Sequence, residues 1–558
     1  LLQLFANTLW YLSYLPEWQT FKSSLSNTEK TQRQLLFHLL QRHAHTFFGR
    51  QHHFQTLRSI AEYQASVPFS TQEDYYCTPE EASDNTRLIQ TANTHPLTSL
   101  HSTHIPEPIL YASTLKTEYH HALAPWTVDL FTHNLSLFKG QIYWSIPPLA
   151  HHNAYSIAGF PTEFEQDPEA LSNLHYHLLN RLLAAPIQLR LITDLETYRY
   201  LTLLFLLRSP QLSLISIWNP SFLTALLARL PAWYLRLATD INNGTLTPPR
   251  PLPSDLHAQL SALNLPNHRR ALEITTICEN YQQPATIYNF LWPNLQLIAC
   301  WTDAQIKKSS NDLRLLFPKA RIQNKGLCST EGFISFPLTK RAGSILAIRS
   351  HFFEFLPTTG GKIRLAHELD VDQHYEIVLT TGGGLYRYQT QSIVHIIGYQ
   401  ATCPLLHFVK KTEWISDWFG EKLQHSFVEK TLKHLLFQYK LSPKLALLSC
   451  ENLADNHYAY VFFIEVATFI PQHTLFNLTW ELEKNLQQNP HYTYSRTYEQ
   501  LDSLRLFRIE REGLETYTKV CNTYDLKTTV LTSKNGWLHL FQGHLFEVEK
   551  ELGLVSSP

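Results

Sequence analysis

Two short stretches carry side chains suited to holding a phosphate and a hard cation. The first is Lys325-Gly326-Leu327-Cys328-Ser329-Thr330-Glu331-Gly332; the second, Gly382-Gly383-Gly384-Leu385-Tyr386-Arg387-Tyr388, follows about fifty residues later. Hydroxyls at Ser329 and Thr330 can hydrogen-bond phosphate oxygens, and Glu331 offers the oxygen donor that magnesium takes. Gly326 and Gly332 let the chain bend and admit a ligand close to the backbone. Beyond them Ile334, Phe336 and Leu338 alternate with Ser335 and Pro337, the period-two pattern of a strand with one buried face. The Ser-Thr-Glu triplet therefore sits on a tight loop leading into a strand. Residue types alone leave two readings of that loop: a nucleotide-phosphate site with its metal, or a plain polar turn.

The rest of the chain must supply elements that hold such loops. Residues 1–15 have the spacing of an amphipathic first helix, and in 28–49 Leu35, Leu36, Leu39, Leu40 and Phe47 recur at helical intervals, with Gly49 as the expected C-cap. Residues 169–208 read as two Leu-rich helices broken at Pro186; 214–218 reads as a short buried strand before Asn219-Pro220 opens another helix. That alternation predicts α/β layering. Past residue 290 strand signals dominate, at 295–300, 333–336, 345–348, 376–380 and 393–397, and suit one mixed sheet framing a cleft. Further on, 427–436 reads as helix, 458–466 as strand and 474–486 as helix, a compact α+β domain.

Composition narrows the class. A chain of 558 residues exceeds what one core usually organises, so two domains are expected. With 44% hydrophobic and 13% aromatic residues it has material for large cores, and a net charge of −1 gives no field to draw in nucleic acid or an anionic membrane. The longest apolar run, 201–207, is cut by Arg208 and falls short of the roughly twenty residues a membrane helix needs. Residues 1–15 lack the basic leader and cleavage site of a secretory signal. Cysteines at 77, 278, 300, 328, 403, 450 and 521 form no Cys-x-x-Cys pair and read as reduced thiols of a cytoplasmic protein. Histidine pairs at 52–53, 120–121 and 151–152 show no metal-ligand spacing.

Residues 326–338, the segment Glu354-Phe355-Leu356-Pro357 and residues 384–388 together resemble the Gretchen Hagen (auxin-responsive promoter) family of acyl acid amido synthetases. Thr46-Phe47-Phe48-Gly49-Arg50, Val67-Pro68-Phe69, Tyr143-Trp144-Ser145-Ile146, Trp218-Asn219-Pro220-Ser221-Phe222-Leu223 and Gly420-Glu421-Lys422-Leu423 extend the resemblance over most of the chain. The family belongs to the adenylate-forming superfamily. The resemblance implies an α/β fold, with a large multi-layer luciferase-like domain of mixed sheets and helices at 1–408 and a small mobile α+β domain at 409–558. It implies ATP-dependent, magnesium-assisted joining of a small carboxylic acid to an amino acid. By the same resemblance Ser329 and Thr330 contact phosphate, Glu331 binds magnesium and Tyr386 belongs to the nucleotide site. Lys527, in Tyr524-Asp525-Leu526-Lys527 ahead of Asn535-Gly536-Trp537, supplies a cation during adenylation.

Three departures from the family pattern fall on the nucleotide. The stretch 100–111 has no glycine, and two prolines remove N–H donors; Glu107 stands near the family's lysine, leaving Ser102 and Thr103 as phosphate ligands. The family's Gly-Asp pair is Gln391-Ser392 here, and exchanging a carboxylate for the Ser392 hydroxyl puts about 1–3 kcal/mol of ribose binding at stake. The hinge arginine gives way to Lys410-Lys411, which keeps charge and loses the planar fork. These departures keep a second reading open, a family member that binds without ATP-dependent catalysis. A third, acyl-CoA ligation, shares the first half-reaction.

Overall fold

The computed structural model describes residues 2–71, 74, 95–98, 108–111, 114–145, 182–217, 220–302, 307–329, 331–411, 415–454, 457–466, 470–521, 530–532 and 534–552. The chain divides into two compact units, one spanning Leu1–Ser99 and Pro108–Thr412, the other Glu413–Pro558.

In the first unit, α1 (Leu2–Ser24) and α2 (Thr28–His43) lead to a short α3 (Phe47–Gln51) and α4 (Ile60–Ser66). The single helix expected over 28–49 is thus two. Thr46 starts the second by accepting a hydrogen bond from Gly49 N at 3.0 Å. Gly49 lies inside α3 rather than capping its predecessor; a Cβ there would stand 2.1 Å from the His43 carbonyl oxygen. β1 (His95–Thr98) and β2 (Pro108–Tyr111) pair antiparallel. Then come the long α5 (Thr114–His133), β3 (Gln141–Trp144), α6 (Leu195–Arg208), β4 (Leu212–Ser216), β5 (Leu297–Cys300) and β6 (Arg321–Asn324).

Strands β3-β4-β5-β6 form a wholly parallel sheet in that order. Both of its faces are covered, as parallel sheets require. Ile142, Trp144, Leu214, Leu297 and Ala299 pack with α5 residues such as Leu123, Trp126 and Leu130. Their neighbours Tyr143, Ile215, Ile298 and Cys300 pack on the other side with Leu201, Leu204 and Phe205 of α6. Period-two alternation of apolar residues on both faces leaves no polar side to the sheet, which explains its near-continuous hydrophobic runs.

After the two-residue ladder of β7 (Cys328–Ser329) and β8 (Gly332–Phe333) comes a second sheet. It comprises β9 (Ser335–Pro337), β10 (Ser344–Leu346), β11 (Phe352–Pro357), β12 (Arg364–Leu365), β13 (His374–Thr380), β14 (Tyr388–Gln400) and β15 (Cys403–Lys411), ordered β12-β11-β13-β14-β15-β10-β9. Every pairing in it is antiparallel. The one mixed sheet anticipated past residue 290 is therefore two: 297–300 joins the parallel sheet, and the later strands build the antiparallel one. Phe336, Phe353, Ile377, Val394 and Leu406 share a core with α5 and one face of the parallel sheet, so α5 is sandwiched between the two.

The second unit opens with β16 (Ile415–Ser416) and β17 (Leu423–Gln424), then α7 (His425–Gln438), β18 (Leu445–Ala454), β19 (His457–Glu465), α8 (Gln472–Leu486), β20 (Asp502–Arg511), β21 (Leu531–Thr532) and β22 (Gln542–Phe546). Its mixed five-stranded sheet runs β21-β18-β19-β20-β22. Leu448, Tyr460, Phe462, Ile464 and Leu506 face α7 and α8. Leu447, Val461, Phe463 and Phe507 face Tyr517, Trp537 and Phe541. Among the described residues, no helix is long and apolar enough to cross a membrane.

Candidate active site

Open parallel sheets bind ligands beyond the carboxyl ends of their strands, where backbone amides and short side chains are not consumed by the ladder. Here those ends carry Trp144-Ser145, Ser216, Cys300-Trp301 and Asn324-Lys325. Ser216 Oγ and Gln323 Oε1, both buried there, find no hydrogen-bond partner among the described residues. Directly after β6, the Lys325 ammonium lies 5.2 Å from the centre of the Trp144 ring. Burial pulls its pKa down to about 8, opposed by Cys328 and Cys300.

The chain turns at Gly326, whose φ of +80° and 2.2 Å clearance from the Ser335 carbonyl oxygen exclude any side chain. Leu327 N donates to Ser335 Oγ at 3.0 Å, while the Leu327 carbonyl accepts from Ile334 N and Ser335 N. The hairpin β7–β8 follows, with Glu331 next to the Ser329–Gly332 pair. Tyr119 Oη of α5 donates to the Ser329 carbonyl at 3.0 Å, and the Ser329 hydroxyl spans the turn to the Gly332 carbonyl at 3.4 Å. Glu331 is 7% exposed. Sequence and structure thus agree on a tight turn, and the structure adds that it is anchored from α5.

Two residues that motif reading passed over tie this hairpin to the glycine-rich turn. His351, fully buried, accepts from Phe333 N through Nε2 at 3.1 Å, and its Nδ1 stands 3.7 Å from Glu118 Oε1. That same carboxylate oxygen accepts from Gly382 N. Gly332 has no side chain because a Cβ would lie 2.5 Å from His351 Nε2. The available signals were a lone histidine before an apolar strand and an acid at the start of a long helix, neither distinctive.

The remaining family motifs explain themselves as framework. Arg387, at φ +46°, donates to Glu354 at 3.1 Å and to the carbonyls of Gln64 and Val67 at 2.9 and 2.8 Å. Its guanidinium also lies 4.1 Å from the Phe69 ring centre, and Gln64 closes the set by donating to Glu354 at 2.8 Å. Burial raises the Glu354 pKa while Arg387 opposes the rise. Tyr386, expected in the nucleotide site, is buried. Its ring stacks on Phe48 at 4.6 Å and its hydroxyl bonds His43 Nδ1 at 2.8 Å. Ser392, expected at the ribose, is fully buried in β14 with its hydroxyl turned to the Thr390 carbonyl at 3.4 Å. Lys410 is exposed on β15 opposite Ile393, whereas Lys411 reaches back to the Thr390 carbonyl at 2.8 Å. Ser102, Thr103, Thr330 and Lys527 lie outside the described residues.

In the second unit, Glu421 is buried and accepts from Trp418 N, Phe419 N and Tyr460 Oη. Burial, reinforced by Asp417, raises its pKa. Glu451 similarly accepts from Gly536 N and Trp537 N, fixing the segment that follows Lys527 in sequence.

Comparison with known proteins places this geometry. The GH3 family N-terminal domain matches residues 17–85 and 145–322, and the GH3 family central domain matches 344–411. An Arabidopsis thaliana protein described as a putative indole-3-acetic acid-amido synthetase, GH3.9, is 23% identical over 330 residues, which cover 55% of this chain and 53% of that protein. The indole-3-acetic acid-amido synthetase GH3.3 of Arabidopsis thaliana is 25% identical over 46% of this chain and 42% of its own. The chain thus spans about half the length of the curated relatives it matches. Among solved structures, the GH3.15 acyl acid amido synthetase superposes with a TM-score of 0.60 at 17% identity, covering 94% of this chain and 95% of that one, a likeness of fold.

Proposed function

From the premise that this chain belongs to the GH3 family, matched over more than half its length, we propose that it is an ATP-dependent acyl acid amido synthetase. A carboxylate oxygen of the acid attacks the α-phosphorus of ATP and pyrophosphate departs. The amine nitrogen of an amino acid then attacks the acyl carbon, the acyl–oxygen bond breaks, AMP leaves and the amine sheds a proton. The observation that supports this most is the Ser329–Gly332 hairpin, which follows Lys325 at the carboxyl end of the parallel sheet and carries Ser329 and Glu331 in one short turn.

The donor set suits magnesium. No group of three or more His, Cys, Asp or Glu gathers as a cage among the described residues, and magnesium needs none: one or two carboxylates suffice, with phosphate oxygens and water completing the shell. Glu331 would hold it, and the bound ion would offset phosphate charge. Ser329, Thr330, Ser102 and Thr103 would hydrogen-bond phosphate oxygens, and Lys410 and Lys527 would add positive charge. Lys325 contributes a fixed cation at the sheet edge for two anionic co-substrates. Cys278, Cys300, Cys328, Cys403 and Cys450, none of them in a disulfide, fit a reducing, cytoplasmic setting.

Acid-dependent exchange between ATP and pyrophosphate tests the first half-reaction. Glu331→Gln should lower its rate by about 10²-fold, the scale for losing one preorganised electrostatic contact. No exchange by the folded parent with any of a broad panel of carboxylic acids would overturn the reading. The interior placement of Ser392 and Tyr386 favours the second reading, a binding protein without catalysis, which predicts no thermal stabilisation by ATP or AMP.

A further inference from the structure

Between the Ser329–Gly332 hairpin and the Gly382–Gly384 turn lies a buried carboxylate and imidazole that the proposed chemistry does not use. Glu118 is 6% exposed and its Oε2 has no hydrogen-bond partner among the described residues; His351 is fully buried and its Nδ1 likewise has none. Burying a carboxylate is costly unless its bonds repay it, so a plain packing role would be better filled by an apolar residue. We propose that Glu118 and His351 are positioning residues that lock the hairpin and the glycine-rich turn into one unit, so that both loops hold a common geometry toward the nucleotide. The nucleotide part of this statement rests on the function proposed above; the coupling of the loops does not.

The chemistry follows from hydrogen-bond polarity. Phe333 N–H can donate only to an unprotonated Nε2, so the imidazole proton sits on Nδ1, on the side facing Glu118 Oε1 at 3.7 Å. Glu118 Oε1 faces that N–H across 3.7 Å without a hydrogen bond and itself takes the Gly382 N–H. Gly382 N–H is thereby committed to the protein rather than offered to a phosphate. The turn itself is closed by Thr381 N to the Leu385 carbonyl at 2.9 Å and Leu385 N to Thr381 Oγ1 at 3.4 Å. Among the described residues, the hydrogen bond that ties this turn to α5 ends on the carboxylate oxygen facing His351. Disturbing Glu118 should reach the Phe333 N–H, which bonds the imidazole and not the carboxylate, by way of His351.

Glu118→Leu makes the test, with Glu118→Gln as its control. Because one oxygen, Oε1, both takes Gly382 and faces Nδ1, a glutamine with its amide oxygen in that place keeps both contacts, whereas leucine removes both. Amide hydrogen exchange of the ligand-free full chain should show Phe333 and Gly382 both exchanging at least tenfold faster in Glu118→Leu, with β14 and β15 unchanged and Glu118→Gln close to the parent. His351→Gln, whose amide oxygen can accept from Phe333, should keep Phe333 protected, while His351→Leu should release both sites. Acceleration at Gly382 alone in Glu118→Leu, or equal behaviour of the two His351 variants, overturns the coupling. Steady-state rates then separate position from stability: ATP KM should rise about tenfold in Glu118→Leu with the acid KM unchanged, and equal change in both overturns the positioning role. A parent that neither binds ATP nor exchanges pyrophosphate sinks the functional proposal instead, and the amide data still decide the coupling.

Discussion

His43 and Tyr386 show how a single pair of side chains sets a pH response. Burial, with Arg42 and His38 nearby, pulls the His43 pKa down to about 4, and the neutral ring accepts the Tyr386 hydroxyl. A histidine with a depressed pKa resists protonation when folded but takes a proton freely when unfolded, so stability is full above the ordinary histidine pKa and is lost as pH falls from about 6.5 toward about 4. The first unit should lose on the order of 3 kcal/mol over that window from this group. Thermal midpoints measured from pH 7 to pH 4 should fall less steeply for His43→Gln than for the parent; parallel curves would contradict this. The residue scale is also where the sequence was least legible. Glu331 and its hydroxyl neighbours stood out by type, but the burial of Tyr386 and Ser392 did not, because a motif names residues without saying which way they point. Glu118 and His351 were invisible because their partners are backbone amides far along the chain, and a backbone donor leaves no mark on residue type.

Elements were read better than contacts. Period-two and helical spacing located β4, β5, β13, β19, α7 and α8 close to their true bounds, since those signals report burial of one face. The break at Ala44–Thr46 and the division of the later strands into a parallel and an antiparallel sheet went unread. Strand direction is decided by non-local partners, and a cap such as Thr46 competes locally with a continuing apolar pattern. At this scale Gly332 is the position to perturb. Gly332→Ala would drive a methyl into His351, and overpacking of that kind costs about 1–3 kcal/mol. Urea unfolding should show that loss, and the ATP KM should rise with it; an alanine variant with unchanged stability would mean the imidazole can step aside.

At the scale of the whole chain, the family motifs announced the fold that the GH3.15 structure shares, because their spacing preserves the order in which loops meet the parallel sheet. The sheet of the second unit is covered on both faces by its own residues. Residues 413–558 expressed alone should therefore unfold cooperatively, with a midpoint visible by circular dichroism; a fragment without a transition would show that its cores are completed from elsewhere. Lys527 belongs to this unit while Glu331 belongs to the first. Adenylation as proposed thus needs groups from two separately cored bodies, and substitutions that merely weaken one body should lower activity without touching a ligand.

The indole of Trp144 beneath the Lys325 ammonium has an optical consequence. Indole emission responds to a charge held against the ring, so any anion that draws the ammonium away changes the light this tryptophan returns. Fluorescence titration with ATP should register such a displacement, and emission unchanged at saturating nucleotide would show that the ammonium stays where it is.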